Sequence, residues 1–188
     1  QTTAMVRTLQ EILGAKRRPF CIMDIDPSSP NRGNLGARLA AVNGYLNFSS
    51  TANYFVDAHD KEAPLEFLQE KFIEHVKGLN SSVPIVIFGF TFVLYHTVFQ
   101  GMKDKGIVLN LPPGSQIIHI GGWKKLEAQK VDKETFNADI SSLFGIKPEE
   151  VVDIYGFTEQ MGLNYPDCKF GWKHVPAYSE VLIRDEAD

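Results

Sequence analysis

Tyr155-Gly156-Phe157-Thr158-Glu159 puts an aromatic ring, a glycine, a hydroxyl and a carboxylate in immediate succession. These groups can share one task. The ring stacks on a purine, the hydroxyl hydrogen-bonds a phosphate oxygen, and the carboxylate holds a magnesium ion. The apolar approach Val151-Val152-Asp153-Ile154 reads as a buried strand that ends in a tight loop. Ligands of open α/β sheets bind beyond the carboxyl ends of such strands, so the pattern predicts a site for ATP and Mg²⁺. A second run, Ile117-Ile118-His119-Ile120-Gly121-Gly122-Trp123, repeats the design with two glycines that let backbone lie against a base or an acyl group. Each residue also has a plainer role available. Glu159 could complement a helix dipole, Thr158 could cap a helix, Tyr155 could seal a core, and glycines serve any turn.

The elements that must hold these residues alternate along the chain. Helical spacing covers residues 3–13, with Gly14 placed to stop the helix, and a strand follows at 20–25. A polar loop at 26–34 leads to a short helix at 35–42 and a strand around Tyr54-Phe55-Val56. A helix at 64–77, a strand at 83–88, a helix at 91–103 and a strand at 116–120 come next. Asp132 and Gly145 bracket a helix at 133–144, and a strand occupies 151–155. Residues 181–184 read as a last strand leading into a β-subdomain. Strands punctuated by helices predict an α/β fold whose mostly parallel sheet is flanked by helices, in one domain over 1–188.

Composition narrows the function classes. A net charge of −4, with Lys and Arg forming no long stripe, argues against a nucleic-acid partner. No apolar stretch approaches the ~20 residues of a membrane span. Cys21 and Cys168 lie far apart and in no metal-binding spacing, which fits reduced thiols in a cytoplasmic protein. Phe92, Tyr95 and Phe99 recur at helical spacing and read as core. His96 and His119 sit near apolar residues and read as core histidines before general bases. Cys168 is a weak candidate acyl acceptor, its thiol adjoining Lys169.

The Tyr-Gly-x-Thr-Glu word resembles the signature of the adenylate-forming superfamily of acyl-CoA synthetases and luciferases. Residues 84–185 are closer still to the LuxE-like acyl-protein synthetases, the ligase component of bacterial fatty-acid reductase. That resemblance is carried by Ile87-Phe88-Gly89-Phe90-Thr91-Phe92, by Gly121-Gly122-Trp123-Lys124, by Tyr155-Gly156-Phe157-Thr158-Glu159-Gln160-Met161-Gly162 and by Val181-Leu182-Ile183-Arg184-Asp185. It implies that Thr158 and Glu159 are catalytic, that Glu159 holds Mg²⁺, and that Gly121, Gly122, Tyr155, Gly156, Phe157 and Thr158 bind ATP. The implied reaction activates a carboxylic acid, by this resemblance a fatty acid, as an acyl-adenylate. The acyl group then passes to a thiol on protein or on coenzyme A.

Aryl acids remain open, because phenylacetate-type CoA ligases share the same words. A non-catalytic α/β module that binds a nucleotide or a partner is the alternative from another class. The resemblance also implies a phosphate loop before the region seen here, and a hinge Asp and a lysine-bearing small domain after it. Residues 1–188 contain none of these. The stretch is therefore expected to be part of a large N-terminal domain and to be inactive alone.

Overall fold

Runs such as Phe20-Cys21-Ile22-Met23 and Ile85-Val86-Ile87-Phe88 are apolar at consecutive positions, so their strands must be covered on both faces. A computed structural model describes residues 2–31, 36–60, 63–156 and 162–185 and shows that arrangement. In chain order the elements are α1 (Thr2–Leu13), β1 (Arg18–Ile25), α2 (Gly36–Tyr45), β2 (Ser49–Asp57), β3 (Glu66–Phe67), α3 (Gln69–Gly78) and β4 (Val86–Phe90). A π-helical stretch (Val93–Phe99) then runs into α4 (Gln100–Lys103), followed by β5 (Gln116–Ile120), α5 (Lys133–Phe144), β6 (Val151–Tyr155) and β7 (Tyr165–Pro166). The sheet order is β3-β2-β1-β4-β5-β6-β7. Strands β2, β1, β4, β5 and β6 are parallel, while the two-residue edge strands β3 and β7 are antiparallel. The α/β architecture expected from the sequence is the one observed.

The chain leaves β1 in one direction, to β2, and returns to β1's other side at β4. This doubly wound path puts helices on both faces. Side-chain alternation along β4 shows the division. Phe88 and Phe90 meet α2, where the Tyr45 ring lies 4.5 Å from Phe88 and the Arg38 guanidinium 5.0 Å from Phe90. Arg38 also pairs with the buried Asp24 at the end of β1, whose carboxyl is nonetheless pushed up by desolvation. Gly89 faces the other way. A Cβ there would stand 3.0 Å from both Leu94 Cγ and Met23 Cβ, so a missing side chain lets the π-helical stretch settle on the sheet.

Local signals set the element ends closest to the cleft. Asp132 accepts a hydrogen bond from the Thr135 N–H at 2.7 Å and caps α5. Gly145 closes α5 in the left-handed region at φ 60°, donating its N–H to Ser141 O. The segment after β7 is tied to α1 by Tyr178, whose hydroxyl donates to Ala4 O at 2.7 Å and lies 2.5 Å from Thr8 Oγ1.

Three expectations need correction. Residues 181–184 form no strand. They pair with no strand among the described residues, and Ile183 is 95% exposed, so β-propensity alone does not organise them. The helix expected from residue 64 begins only at Gln69, because Val56 recruits Phe67 into an antiparallel bridge first. The helix expected at 91–103 is real, but Val93–Phe99 is wound in the wider π form.

Gly89→Ala should destabilise the fold by about 1–3 kcal/mol through overpacking. Urea unfolding should show a lower midpoint at unchanged slope. A midpoint equal to that of the parent would show that Leu94 gives way freely.

Candidate active site

Parallel pairing sets β5 and β6 in register, with Ile120 opposite Ile154. Gly121 and Tyr155 therefore leave the sheet side by side. Beyond them opens a cleft of about 670 Å³ lined by Gly121, Gly122, Tyr155 and Gly156, among others. Its far walls come from Met5 on α1, Gly44 on α2, Phe136 on α5 and Asn164 before β7.

Gly121 and Gly122 both take left-handed torsions, at φ 86° and 61°, and the non-glycine Lys124 follows at 55°. A Cβ on Gly121 would also come within 3.1 Å of Phe90 Cδ1. The turn thus needs its first glycine for torsion and for closeness at once. Tyr155 ends β6 with 51% of its surface exposed, so a broad aromatic surface adjoins this bare backbone. Of the residues expected at the site, Gly121, Gly122, Tyr155 and Gly156 are brought together. Phe157, Thr158 and Glu159 lie outside the described residues.

Sequence reasoning undervalued one group and missed several others. His119 is 5% exposed yet lines the cleft. Its Nδ1 lies 2.9 Å from Thr91 Oγ1 and 3.6 Å from Asp153 Oδ1. A chain of ion pairs continues from there: Asp153 Oδ2 to Lys173 Nζ at 2.6 Å, Lys173 to Asp167 Oδ1 at 3.1 Å, and Asp167 Oδ2 to Lys133 Nζ at 2.5 Å. Lys133 also donates to Gly171 O at 2.6 Å. These charges fasten the segment after β7 to the wall of the cleft. Burial drives the His119 imidazole down to about 4, against a smaller upward pull from Asp153, so the ring is neutral near pH 7. The one available signal was Asp153, a carboxylate inside an otherwise apolar strand.

Other candidates fall away from the chemistry. Tyr95 and Phe99 are buried and stacked, with ring centroids 5.0 Å apart, as core residues should be. His96 packs edge-on against Trp123 at 5.7 Å. The Cys168 thiol is lowered chiefly by the backbone N–H of Phe170, not by Lys169, whose ammonium sits 5.0 Å over the Phe170 ring.

The arrangement can hold a flat polar ligand between a bare turn and an aromatic ring, with Lys124 at its rim, while Lys130 and Lys133 are paired with Glu127 and Asp167. Among the described residues no three His, Cys, Asp or Glu side chains converge to hold an ion. No helix among them is long and apolar enough to cross a membrane.

The sequence matches the family described as acyl-protein synthetase, LuxE, over residues 1–188. The chain belongs to that family. No curated protein compared with it gives a match. Membership in the LuxE family implies a ligase-type enzyme that activates and transfers an acyl group, with an acid and a protein or thiol acceptor as its partners.

The neutral imidazole makes the fold sensitive to acid. An imidazole ordinarily titrates at 6.5, and His119 in the folded chain at about 4. Between those values the unfolded chain binds the extra proton, so stability is full above 6.5 and declines as pH falls towards 4. The loss should approach about 3 kcal/mol at 1.36 kcal/mol per pH unit. Urea unfolding at pH 7 and pH 4.5 should show this drop in the parent and a much smaller one in His119→Gln. Equal acid losses in the two proteins would assign the effect to other groups.

Proposed function

We propose that this LuxE-family chain forms the nucleotide-facing wall of an ATP-dependent acyl-activating ligase of the adenylate-forming kind. The observation that carries the reading is the juxtaposition of Gly121-Gly122 with Tyr155-Gly156 at the ends of adjacent parallel strands, around one cleft. In this reading the purine stacks on Tyr155 while its other face meets the Gly121-Gly122 backbone. Lys124 on the lining of the cleft raises the local potential that an anionic substrate meets. The cleft's apolar share, including Trp123, Val131 and Leu163, suits the tail of a fatty acid.

The proposed chemistry has two steps. A carboxylate oxygen of the acid attacks the α-phosphorus of ATP, and pyrophosphate leaves with the electron pair of the broken P–O bond. A thiol, on protein or on coenzyme A, then gives up its proton and attacks the acyl carbonyl, and AMP leaves. Positioning and electrostatics supply most of the acceleration in such phosphoryl chemistry. Thr158 is proposed to hydrogen-bond a phosphate oxygen and Glu159 to hold Mg²⁺, which when bound neutralises phosphate charge.

Pyrophosphate exchange by the full-length protein with a panel of fatty and aryl acids tests the reading. Acid-dependent exchange, greatest with fatty acids, is expected. ATP binding without exchange for any acid would favour a non-catalytic module. Glu159→Gln removes the charge and keeps the shape, so exchange should fall by at least ~10²-fold with the melting curve retained. Thr158→Ala should lose less, about the worth of one hydrogen bond. A Glu159→Gln protein with parental exchange would remove Glu159 from the chemistry.

A further inference from the structure

The segment after β7 carries two large rings into water. It doubles back as a tight hairpin, closed by the bridge between Asp167 and Lys173 and by the Cys168 N–H donating to Trp172 O at 2.8 Å. The loop is only Lys169-Phe170-Gly171, with Gly171 in the left-handed region at φ 80° and its N–H on Cys168 O at 2.8 Å. Phe170 is 75% exposed and Trp172 76% exposed. Single exposed apolar side chains are ordinary. Two aromatic rings on one turn form a patch, and such patches mark contact with a partner or a membrane.

The hairpin is held firmly. Lys133 Nζ donates to Gly171 O at 2.6 Å, and Lys173 Nζ reaches Asp153 Oδ2 at 2.6 Å. Lys133 and Asp153 both line the cleft, so the tip is fastened to the cleft wall. A tip ordered in advance loses little freedom on docking. Its charge says what it fits. Residues 168–179 contain Lys169, Lys173 and His174 and no acidic side chain. Asp167, just before them, has only 5% of its side chain exposed and is balanced by Lys133 and Lys173. The exposed Lys169 places its ammonium 5.0 Å over the Phe170 ring. A cation among aromatic rings is the chemistry of a bilayer interface, where rings settle at headgroup level and ammonium groups stay with the phosphates.

We propose that the turn from Lys169 to Trp172 docks the protein on an anionic lipid surface, with Phe170 and Trp172 entering the headgroup region and Lys169 pairing with lipid phosphate. The fatty acid of the reading above gives this contact a use. Such acids partition into bilayers, and a cleft fastened to the tip stays close to their reservoir. The use rests on the ligase reading, whereas the contact itself does not. Attachment is peripheral, since no helix among the described residues could cross a membrane. Two rings and one ammonium group hold weakly and reversibly.

Cosedimentation of the full-length protein with vesicles, in the absence of ATP and acid, tests the contact. The parent should pellet with vesicles of phosphatidylcholine and phosphatidylglycerol in equal parts, and far less with phosphatidylcholine alone. Phe170→Ser and Trp172→Ser should each lower the partition coefficient by about 10-fold. Lys169→Gln should lower it by about fivefold, on the anionic vesicles only. Trp172→Phe should keep most of the binding, and Val108→Ser, at a 62% exposed residue in the loop before β5, should change nothing. All these positions face water, so the melting curves should stay parental. A parent that remains in the supernatant, or Phe170→Ser and Trp172→Ser proteins that pellet like the parent, would overturn the proposal. A parent dimer that Trp172→Ser turns into a monomer would overturn it in favour of a second copy as the occupant. Each of these results leaves the ligase reading intact, because pyrophosphate exchange is measured separately. Vesicle binding by a protein that exchanges pyrophosphate with no acid would remove the ligase reading and keep the lipid contact.

Discussion

Burial of the parallel strands on both faces is the constraint from which the rest of the structure follows. A sheet covered on both sides has no freedom of register, because a slip of one residue would exchange its two interiors. Here those interiors differ sharply. Phe88 and Phe90 belong to the side of α2, while Gly89 and His119 belong to the side of the π-helical stretch and α5. The pairing of Ile120 with Ile154 is therefore fixed by packing well before any ligand is considered. Two loops with no contact in sequence emerge at one place as a result. The cleft is a by-product of how the core must close.

Much of this architecture could be read from the amino acids, for identifiable reasons. The apolar strands and the bracket of Asp132 and Gly145 around α5 are local signals, and local signals survive folding. Element ends set by distant partners were harder to see. The bridge between Val56 and Phe67 shortens α3, and nothing near residue 67 announces it. Tyr165–Pro166 makes an edge strand despite its proline, since edge positions tolerate a missing donor. Residues 181–184 carry strand-forming side chains, yet a strand exists only when an edge accepts it.

The site divides along the same line. The glycines and Tyr155 stood out because their types suit a turn and a flat ligand within a short stretch of sequence. The chain from His119 through Asp153, Lys173 and Asp167 to Lys133 did not, because its members come from four separate segments. Asp167 has only 5% of its side chain exposed and keeps two ammonium groups for company. Removing one partner from such a set leaves a charge uncompensated in a poor solvent, which harms stability far more than the intact set helps it. These residues are thus bound to one another more tightly than to any single role, and replacing them one at a time is the costly route.

The clasp of Tyr178 on α1 bears on how the protein comes into being. Met5 and Asn164 wall the same cleft, and Tyr178 reaches back to Ala4. Synthesis delivers Asn164 and Tyr178 well after Ala4 and Met5, at ~5–20 residues per second. The first wall of the cleft waits on the nascent chain while most of the sheet is still being made. Long-range parallel pairing is slow to form in any case, since loop closure must precede the contacts that reward it. A ribosome stalled before residue 164 would hold a chain that lacks the Asn164 wall of the cleft and the Tyr178 clasp.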